Sequence, residues 1–178
     1  MTRSVALLRA VNVGGRKLPM AELRVLCADL GWRDVGTYIQ SGNVVFAAEG
    51  AQADLESALE QAIKDRFGYR SDVMVRSGEA WAAILAANPL RQPSNAEPNR
   101  VLVGIAKRPV LPDAAETVAT KAIAGERVAL AGSALWFHYP AGVGTSKLTP
   151  TLIDRAAGSP VTARNWRTML TLAEMLGR

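Results

Sequence analysis

The chain has 178 residues, of which 49% are hydrophobic and 21% charged, a composition that suits one globular core or two small halves that share one. Its 21 lysine and arginine residues outnumber 16 acidic residues, and the net charge of +5 favours anionic partners in general. No basic run is longer than two residues, which excludes a polybasic tail. No apolar run approaches the roughly 18 residues of a membrane span or suits a secretory signal, so we expect a cytoplasmic protein.

The first half of the chain predicts the order β-α-β-β-α-β. The predicted elements are a strand at 4–11, a helix with Pro19 at its first position that is stopped by Gly31, strands at 35–40 and 43–48, a helix capped by Asp54 and a strand at 71–77. This order is typical of the split unit of ferredoxin-like folds, whose antiparallel sheet has the strand order 4-1-3-2. The loop after the first strand and the turn between the second and third strands then share one sheet edge. We therefore expect Asn12 to lie close to Asn43.

The loop "NVGGRK" at residues 12–17 is a candidate anion site. It precedes the first predicted helix, where free backbone N–H groups and the helix dipole favour negative charge. Gly14 and Gly15 would let the backbone approach a ligand, and Arg16 and Lys17 would add positive charge. The alternative is a tight loop between a strand and a helix, with its charges solvated.

The segment "QSGN" at residues 40–43 interrupts a strand-like run with small polar residues. Gly42 supplies the positive φ that a two-residue hairpin turn needs, and asparagine is favoured in turns, which explains Asn43. Gln40 has no such local explanation. Two interpretations stay open: the segment is a hairpin turn, or Gln40, Ser41 and Asn43 contribute to a binding site.

Three isolated residues have simpler interpretations. Arg9 lies inside an apolar predicted strand, so its charge needs an internal carboxylate or a ligand. Cys27 lies on a helix beside leucines and is predicted to be a core residue, and His138 is predicted to be a structural residue of an aromatic strand. A single cysteine and a single histidine exclude an internal disulfide and a thiolate-rich or multi-histidine metal site. We expect neither a cofactor nor a metal.

The second half repeats the same order less clearly. The predicted elements are a short helix at 79–87, a strand at 100–106, a helix at 113–123, strands at 127–132 and 134–139, a helix at 150–157, a short extended segment at 160–163 and a closing helix that starts near residue 164. A Pro- and Asn-rich stretch at 88–99 is the best internal boundary. We expect an α+β fold with two ferredoxin-like halves, at 1–87 and 100–178, joined by a connecting loop, the second half carrying an appended helix.

A glycine-rich segment, "AGVGTSKLTP" at residues 141–150, invites comparison with phosphate-binding motifs. It fits neither the Walker pattern nor the dinucleotide fingerprint, because Ser146 and Lys147 stand where those motifs need glycine. What remains is a flexible loop with Thr149 as the cap of the next helix. Lys147 is a candidate ligand-binding residue on this loop.

The segment "TARNWRT" at residues 162–168 is predicted to open the last helix. Arg164 and Arg167 would then lie in the first helical turn, where the helix dipole disfavours cations. Two such cations indicate an anionic partner, which is either an internal carboxylate or a ligand. Arg164 and its neighbour Asn165 are therefore candidate binding residues.

Four stretches, "ALLRAVNVGG", "MAELRVLCADLGWRDVGTYIQSGNVVF", "KLT" and "TARNWRTML", resemble the domain-of-unknown-function 1697 family of bacterial proteins. The chain differs mildly from it: the family usually has Gly-Ile-Asn where residues 10–12 read Ala-Val-Asn, and usually Thr where Ala163 stands. The resemblance implies an α+β fold with ferredoxin-like halves and no established activity. The family's recurring polar residues correspond to Arg9, Asn12, Gln40, Ser41, Asn43, Lys147, Arg164 and Asn165.

Three functions compete on these observations. The first is binding of a small anionic or phosphorylated ligand through backbone amides and basic side chains. The second is RNA or DNA binding, which a ferredoxin-like sheet and a basic balance suit, although RNA-recognition sheets stack bases on aromatic residues and here Phe46 stands alone in the third strand. The third is an enzyme without metal, His or Cys chemistry, which would need carboxylate or lysine acid–base groups. The candidate residues contain no paired carboxylates, so ligand binding is favoured.

Overall fold

The computed structural model describes residues 1–177, which divide into two compact units. The first unit consists of Met1–Trp81 together with the end of the last helix from Leu172 onwards, and the second consists of Ala82–Thr171. Each unit is built on its own four-stranded antiparallel sheet. No helix within the described residues is both long and apolar enough to cross a membrane.

The first unit has the predicted connectivity. Its elements are β1 (Thr2–Leu8), α1 (Met20–Asp29), β2 (Arg33–Tyr38), β3 (Asn43–Ala48), α2 (Gln52–Phe67) and β4 (Val73–Ser77), after which α3 (Gly78–Ala86) begins. The strand order β2-β3-β1-β4 confirms the order expected for a ferredoxin-like unit. Strand β1 pairs with β3 on one side, with Leu7 opposite Asn43, and with β4 on the other, with Leu8 opposite Val73. The end of β1 therefore lies beside the starts of both neighbouring strands.

Strand β1 ends three residues earlier than its apolar run predicts. Ala10 and Asn12 have φ values of 53° and 55°, a left-handed conformation that cannot continue a strand. Arg9 consequently lies just beyond the strand, not inside it, and its backbone N–H donates to the carbonyl of Asp72 at 2.9 Å. The prediction that Arg9 is a strand residue was wrong.

The core of the first unit lies between one face of the sheet and helices α1 and α2. Leu23 and Cys27 of α1 pack with Leu59 of α2 in one cluster, and all three are fully buried. Trp32 stacks on Phe46 of β3 with ring centroids 3.9 Å apart. Burial raises the pKa of the Cys27 thiol to about 12, so the thiolate is not available at neutral pH. The prediction that Cys27 is a core residue is confirmed.

Helix α2 begins earlier than predicted. Its first residue is Gln52, and Ala51 occupies the N-cap position without a side-chain hydrogen bond. Asp54 therefore lies inside the first turn, where its charge still suits the helix dipole, and the prediction that it caps the helix was wrong.

The second unit repeats the topology of the first. Its elements after α3 are α4 (Arg91–Ala96), β5 (Val101–Ala106), α5 (Ala114–Ala119), β6 (Arg127–Ala131), β7 (Ala134–His138), α6 (Pro150–Ala157) and β8 (Val161–Asn165), and α7 (Trp166–Leu176) then begins. The strand order β6-β7-β5-β8 is equivalent to that of the first sheet. The protein is thus α+β, with two ferredoxin-like halves and a C-terminal helix.

The stretch predicted as the connecting loop, 88–99, contains the short helix α4. The Asn88 side chain organises its start, since Nδ2 donates to Ser94 Oγ at 2.9 Å and Oδ1 accepts from the Leu90 N–H at 2.7 Å. Pro93 lies in the first turn of α4, where a missing N–H costs nothing because the first N–H groups of a helix have no intrahelical partner. Prolines that signal a loop in the sequence are therefore compatible with this helix.

The last helix begins two residues later than predicted. Strand β8 continues through Arg164 and Asn165, which pair with Val103 and Leu102 of β5. Only Arg167 lies in the first turn of α7, so the helix dipole does not act on Arg164 as the sequence suggested. Long-range pairing with β5 decides this boundary.

Candidate functional site

The loop after β1 and the turn between β2 and β3 are joined by the side chain of Asn12. Its Nδ2 donates to the backbone carbonyl of Gln40 at 2.6 Å and to that of Leu18 at 3.1 Å, and its Oδ1 accepts from the Leu18 N–H at 2.8 Å. The bond to Leu18 closes the loop on itself, and the bond to Gln40 holds the loop against the turn. The predicted juxtaposition of these two segments at one sheet edge is confirmed.

Gly42 brings the turn into close contact with the end of β1. Its carbonyl accepts from the Leu8 N–H at 2.8 Å. A Cβ atom at this position would lie 2.7 Å from Val11 Cγ2 and 2.8 Å from Leu8 Cβ, and the φ of 75° is itself unfavourable for other residues. Only glycine fits here.

Some polar side chains of the turn between β2 and β3 form hydrogen bonds, and one does not. Asn43 is fully buried, and its Nδ2 donates to the Tyr38 carbonyl at 3.0 Å and to Ser41 Oγ at 2.9 Å. These bonds support the hairpin interpretation for Ser41 and Asn43. The Gln40 side chain, by contrast, is exposed and makes no hydrogen bond within residues 1–177.

The loop that precedes α1 presents two cations to solvent. Gly14 and Gly15 have φ values of 58° and 83°, with open space around both positions. Arg16 and Lys17 are exposed, and the Arg16 guanidinium lies 5.6 Å from the centroid of the Tyr69 ring, a cation–π contact. Lys17 forms no ion pair in the part of the chain that the structure describes.

Arg9 has an internal carboxylate partner. Its guanidinium lies 3.9 Å from Asp72 Oδ2, and its backbone carbonyl accepts from Ser71 Oγ at 2.7 Å. Of the two explanations that the sequence left open for Arg9, the structure supports the carboxylate. About a quarter of the side chain remains exposed, so the guanidinium is also accessible from solvent.

Three residues of this edge, Tyr69, Ser71 and Asp72, were missed by the sequence reasoning. They lie immediately before β4, which is antiparallel to β1. In this topology the start of β4 lies beside the end of β1, so the segment before β4 must reach the same edge as the 12–17 loop. The predicted strand order alone was therefore enough to add these three residues to the candidate site.

The remaining candidates belong to the second unit. Lys147 is exposed on the loop before α6, whose cap Thr149 accepts from the Leu152 N–H at 3.2 Å, as predicted. Next to Lys147, Ser146 Oγ donates to Glu126 Oε1 at 2.6 Å and lowers the pKa of that carboxyl group. These contacts shape the loop and leave the Lys147 ammonium in solvent.

Arg164 and Asn165 both have structural roles in the second unit. Arg164 is only 8% exposed and donates to Thr162 Oγ1 at 2.8 Å and to the Ala163 carbonyl at 2.9 Å. Burial lowers its pKa to about 10, so the guanidinium is still charged at neutral pH. Asn165 Oδ1 accepts from the Thr168 N–H at 2.9 Å and so caps α7. The polar groups left exposed among the candidates are therefore those of the 12–17 loop, Gln40 and Lys147.

His138 is a nearly buried residue of β7. Its Nε2 lies 3.2 Å from Glu97 Oε2, and Glu97 also lies 3.4 Å from the Arg100 guanidinium. The imidazole thus links β7 to the segment that precedes β5. This contact supports the prediction that His138 is structural.

Fold and site define an α+β protein of two ferredoxin-like halves with a basic loop at one sheet edge. The chain belongs to the family described as "Protein of unknown function (DUF1697)", whose model matches residues 1–136. It is similar to a solved structure described as that of conserved bacterial protein SP0830 from Streptococcus pneumoniae, with 23% identity, a TM-score of 0.72 and 98% of each chain covered. At this identity the likeness shows the fold alone. No curated protein matches the chain.

Proposed function

We propose that this protein is a cytosolic binding protein for a small anionic or phosphorylated ligand, held at the start of α1 by the 12–17 loop. The observation that carries the proposal is the uncapped N-terminus of α1. Pro19 occupies the N-cap position and has no side chain that can accept a hydrogen bond. The first N–H groups of the helix therefore lack the side-chain acceptor that most helix starts supply.

The acidic residue in the first turn of α1 does not supply the missing hydrogen-bond acceptor. Glu22 pairs with Arg66 of α2, with 2.7 Å between its Oε2 and the guanidinium. Its carboxylate is thus held at the neighbouring helix. An external anion can take the place of the missing cap, because the helix dipole and the N–H groups both favour negative charge there.

The loop adds donors of two kinds. Within residues 1–177, the backbone N–H groups of Gly14 and Gly15 donate no hydrogen bond. Both glycines are surrounded by open space, so a ligand can approach the backbone closely. Arg16 and Lys17 supply positive charge next to these amides. Backbone amides with adjacent cations are the usual means of holding a phosphate group.

A nucleic-acid ligand is less well supported. RNA-recognition sheets present aromatic residues on an open face, whereas all six residues of β3 are buried here. Phe46, the aromatic residue of that strand, is stacked on Trp32. A phosphate-bearing metabolite needs only the loop, which is exposed.

The proposal is tested by thermal unfolding in the presence of nucleotides, sugar phosphates and coenzyme A. A ligand at about a hundredfold excess over its Kd should raise the unfolding temperature by about 5–10 °C. Arg16→Ala and Lys17→Ala should reduce the gain, while Arg33→Ala, which removes an exposed cation of β2, should leave it unchanged. A panel that shifts neither the wild type nor any variant would count against the proposal.

A further inference from the structure

A polar pocket lies in the first unit, and it is lined in part by Arg70, the residue after Tyr69. Its volume is about 280 Å³, and its wall is formed by one face of α2 and by the segment that leads into β4. The residues that line it are Ser57, Glu60, Gln61, Lys64, Arg70, Ser71 and Asp72. Of the α2 residues, Glu60 and Gln61 lie three and four residues after Ser57, and Lys64 lies four and three residues after them, so all four share one face of α2.

The two carboxylates of the pocket are engaged by the protein itself. Glu60 Oε1 accepts from the Val73 N–H at 2.8 Å, which ties α2 to the start of β4. Asp72 Oδ2 lies 3.9 Å from the Arg9 guanidinium. Arg9 thus adds a positive charge that faces the Asp72 carboxylate at this edge.

The two cations of the pocket are not engaged. The side chains of Lys64 and Arg70 are exposed and form neither an ion pair nor a hydrogen bond within residues 1–177. The Ser57 hydroxyl likewise has no partner in this described part of the chain. An ammonium, a guanidinium and a hydroxyl that share one pocket are donors suited to an oxyanion.

A short chain of contacts connects this pocket to the 12–17 loop. Arg16 lies 5.6 Å from the centroid of the Tyr69 ring, and Tyr69 directly precedes Arg70. We infer that the pocket is a second oxyanion subsite, so that the ligand carries two anionic groups, one at the start of α1 and the other between Lys64 and Arg70. This inference rests on the proposed function, and it narrows the ligand to molecules such as bisphosphates or phosphorylated carboxylic acids.

The test compares one-anion and two-anion probes on the whole protein by 1H–15N spectroscopy, at constant ionic strength. Inorganic phosphate should perturb the amides of residues 14–17 and, separately, those of residues 70–72. A hexose 1,6-bisphosphate or tripolyphosphate should bind at least about tenfold more tightly than phosphate, because the second contact is intramolecular. Lys64→Gln and Arg70→Gln should remove this gain and leave the phosphate response of residues 14–17 unchanged. Arg33→Gln is the matched control, and it should change neither the tighter binding of the two-anion probes nor the response of residues 14–17 to phosphate.

The outcomes separate the two proposals. If phosphate perturbs only residues 14–17 and neither two-anion probe binds more tightly, the second subsite is wrong and the proposed function stands. If phosphate perturbs only residues 70–72, the proposed anion site at the start of α1 is wrong. The inference that the ligand carries two anionic groups is then wrong as well, because it requires that site. If no amide responds to any probe, both are wrong.

Discussion

Asn12 Nδ2 donates a 2.6 Å hydrogen bond to the backbone carbonyl of Gln40, a residue 28 positions further along the chain. The same side chain makes both bonds to Leu18 that close its own loop. Asn12 also has a φ of 55°, a conformation that asparagine tolerates better than most residues. One side chain therefore sets the shape of the basic loop and its position on the sheet edge.

Replacing Asn12 should destabilise the protein. Asn12→Ala should lower the free energy of unfolding by about 1–3 kcal/mol. The reason is that the N–H and the carbonyl of Leu18, a buried residue, both lose their hydrogen-bond partner. Asn12→Gly keeps the left-handed backbone accessible and isolates the loss of the hydrogen bonds. Urea denaturation measures both, with Asn99→Ala, an exposed residue without a hydrogen bond in the described chain, as the control. An unchanged midpoint for both Asn12 variants would contradict the structural role.

Gly42 and Gly68 form a matched pair for testing the contact between the turn and β1. Both have a φ of 75°, but a Cβ at Gly42 meets Val11 and Leu8, whereas a Cβ at Gly68 meets nothing within 4 Å. Gly42→Ala should cost about 1–3 kcal/mol more stability than Gly68→Ala, because the backbone strain is common to both and the overlap is not. Equal losses in chemical denaturation would show that the turn relaxes away from β1.

The Tyr69 hydroxyl is buried and has no hydrogen-bond partner within residues 1–177. Tyr69→Phe keeps the ring that Arg16 contacts and removes this unsatisfied group, so stability should stay the same or rise by up to about 1 kcal/mol. Tyr69→Leu, which removes the ring, should be less stable than Tyr69→Phe. A loss of stability in Tyr69→Phe would mean that the hydroxyl has a partner after all.

Arg164 and Arg167 should respond oppositely to charge reversal. Arg164→Glu places a carboxylate at a buried position and should destabilise the fold by at least about 2 kcal/mol. Arg167 is exposed in the first turn of α7, so Arg167→Glu should stabilise by about 0.3–1 kcal/mol as the acidic group meets the helix dipole. An Arg164→Glu denaturation curve with a higher midpoint and an unchanged slope would contradict the first expectation.

The topology of the fold and the location of the basic loop were predictable from the sequence, whereas the local ends of strands were not. Hydrophobic periodicity and the turn at Gly42 are short-range signals, and the ferredoxin-like strand order then brings the 12–17 loop to the hairpin. The end of β1 depends on the left-handed φ of Ala10, which the residue type alanine does not reveal. Likewise, Arg164 belongs to β8 because of pairing with β5, which lies about sixty residues away.

The side-chain partners were predictable only in part. The sequence predicted either an internal carboxylate or a ligand beside Arg9, and it could not identify Asp72 without the neighbouring strand order. The sequence also predicted that Asn12 approaches Asn43, but a side-chain amide can donate to any nearby carbonyl. In the structure the Asn12 amide donates to the Gln40 carbonyl, and the Asn43 amide donates to the Tyr38 carbonyl within its own turn. Such choices depend on the positions of neighbouring carbonyls in the fold, which residue types do not encode.

The most direct test of the central claim is the response of the Gly14 and Gly15 amides to inorganic phosphate in the wild type and in the double variant Arg16→Ala/Lys17→Ala. If the start of α1 binds an anion, both amides and that of Glu22 should shift along a saturable curve at constant ionic strength, and the double variant should lose the response. Small, non-saturating shifts that are the same in the wild type and in the double variant would contradict it.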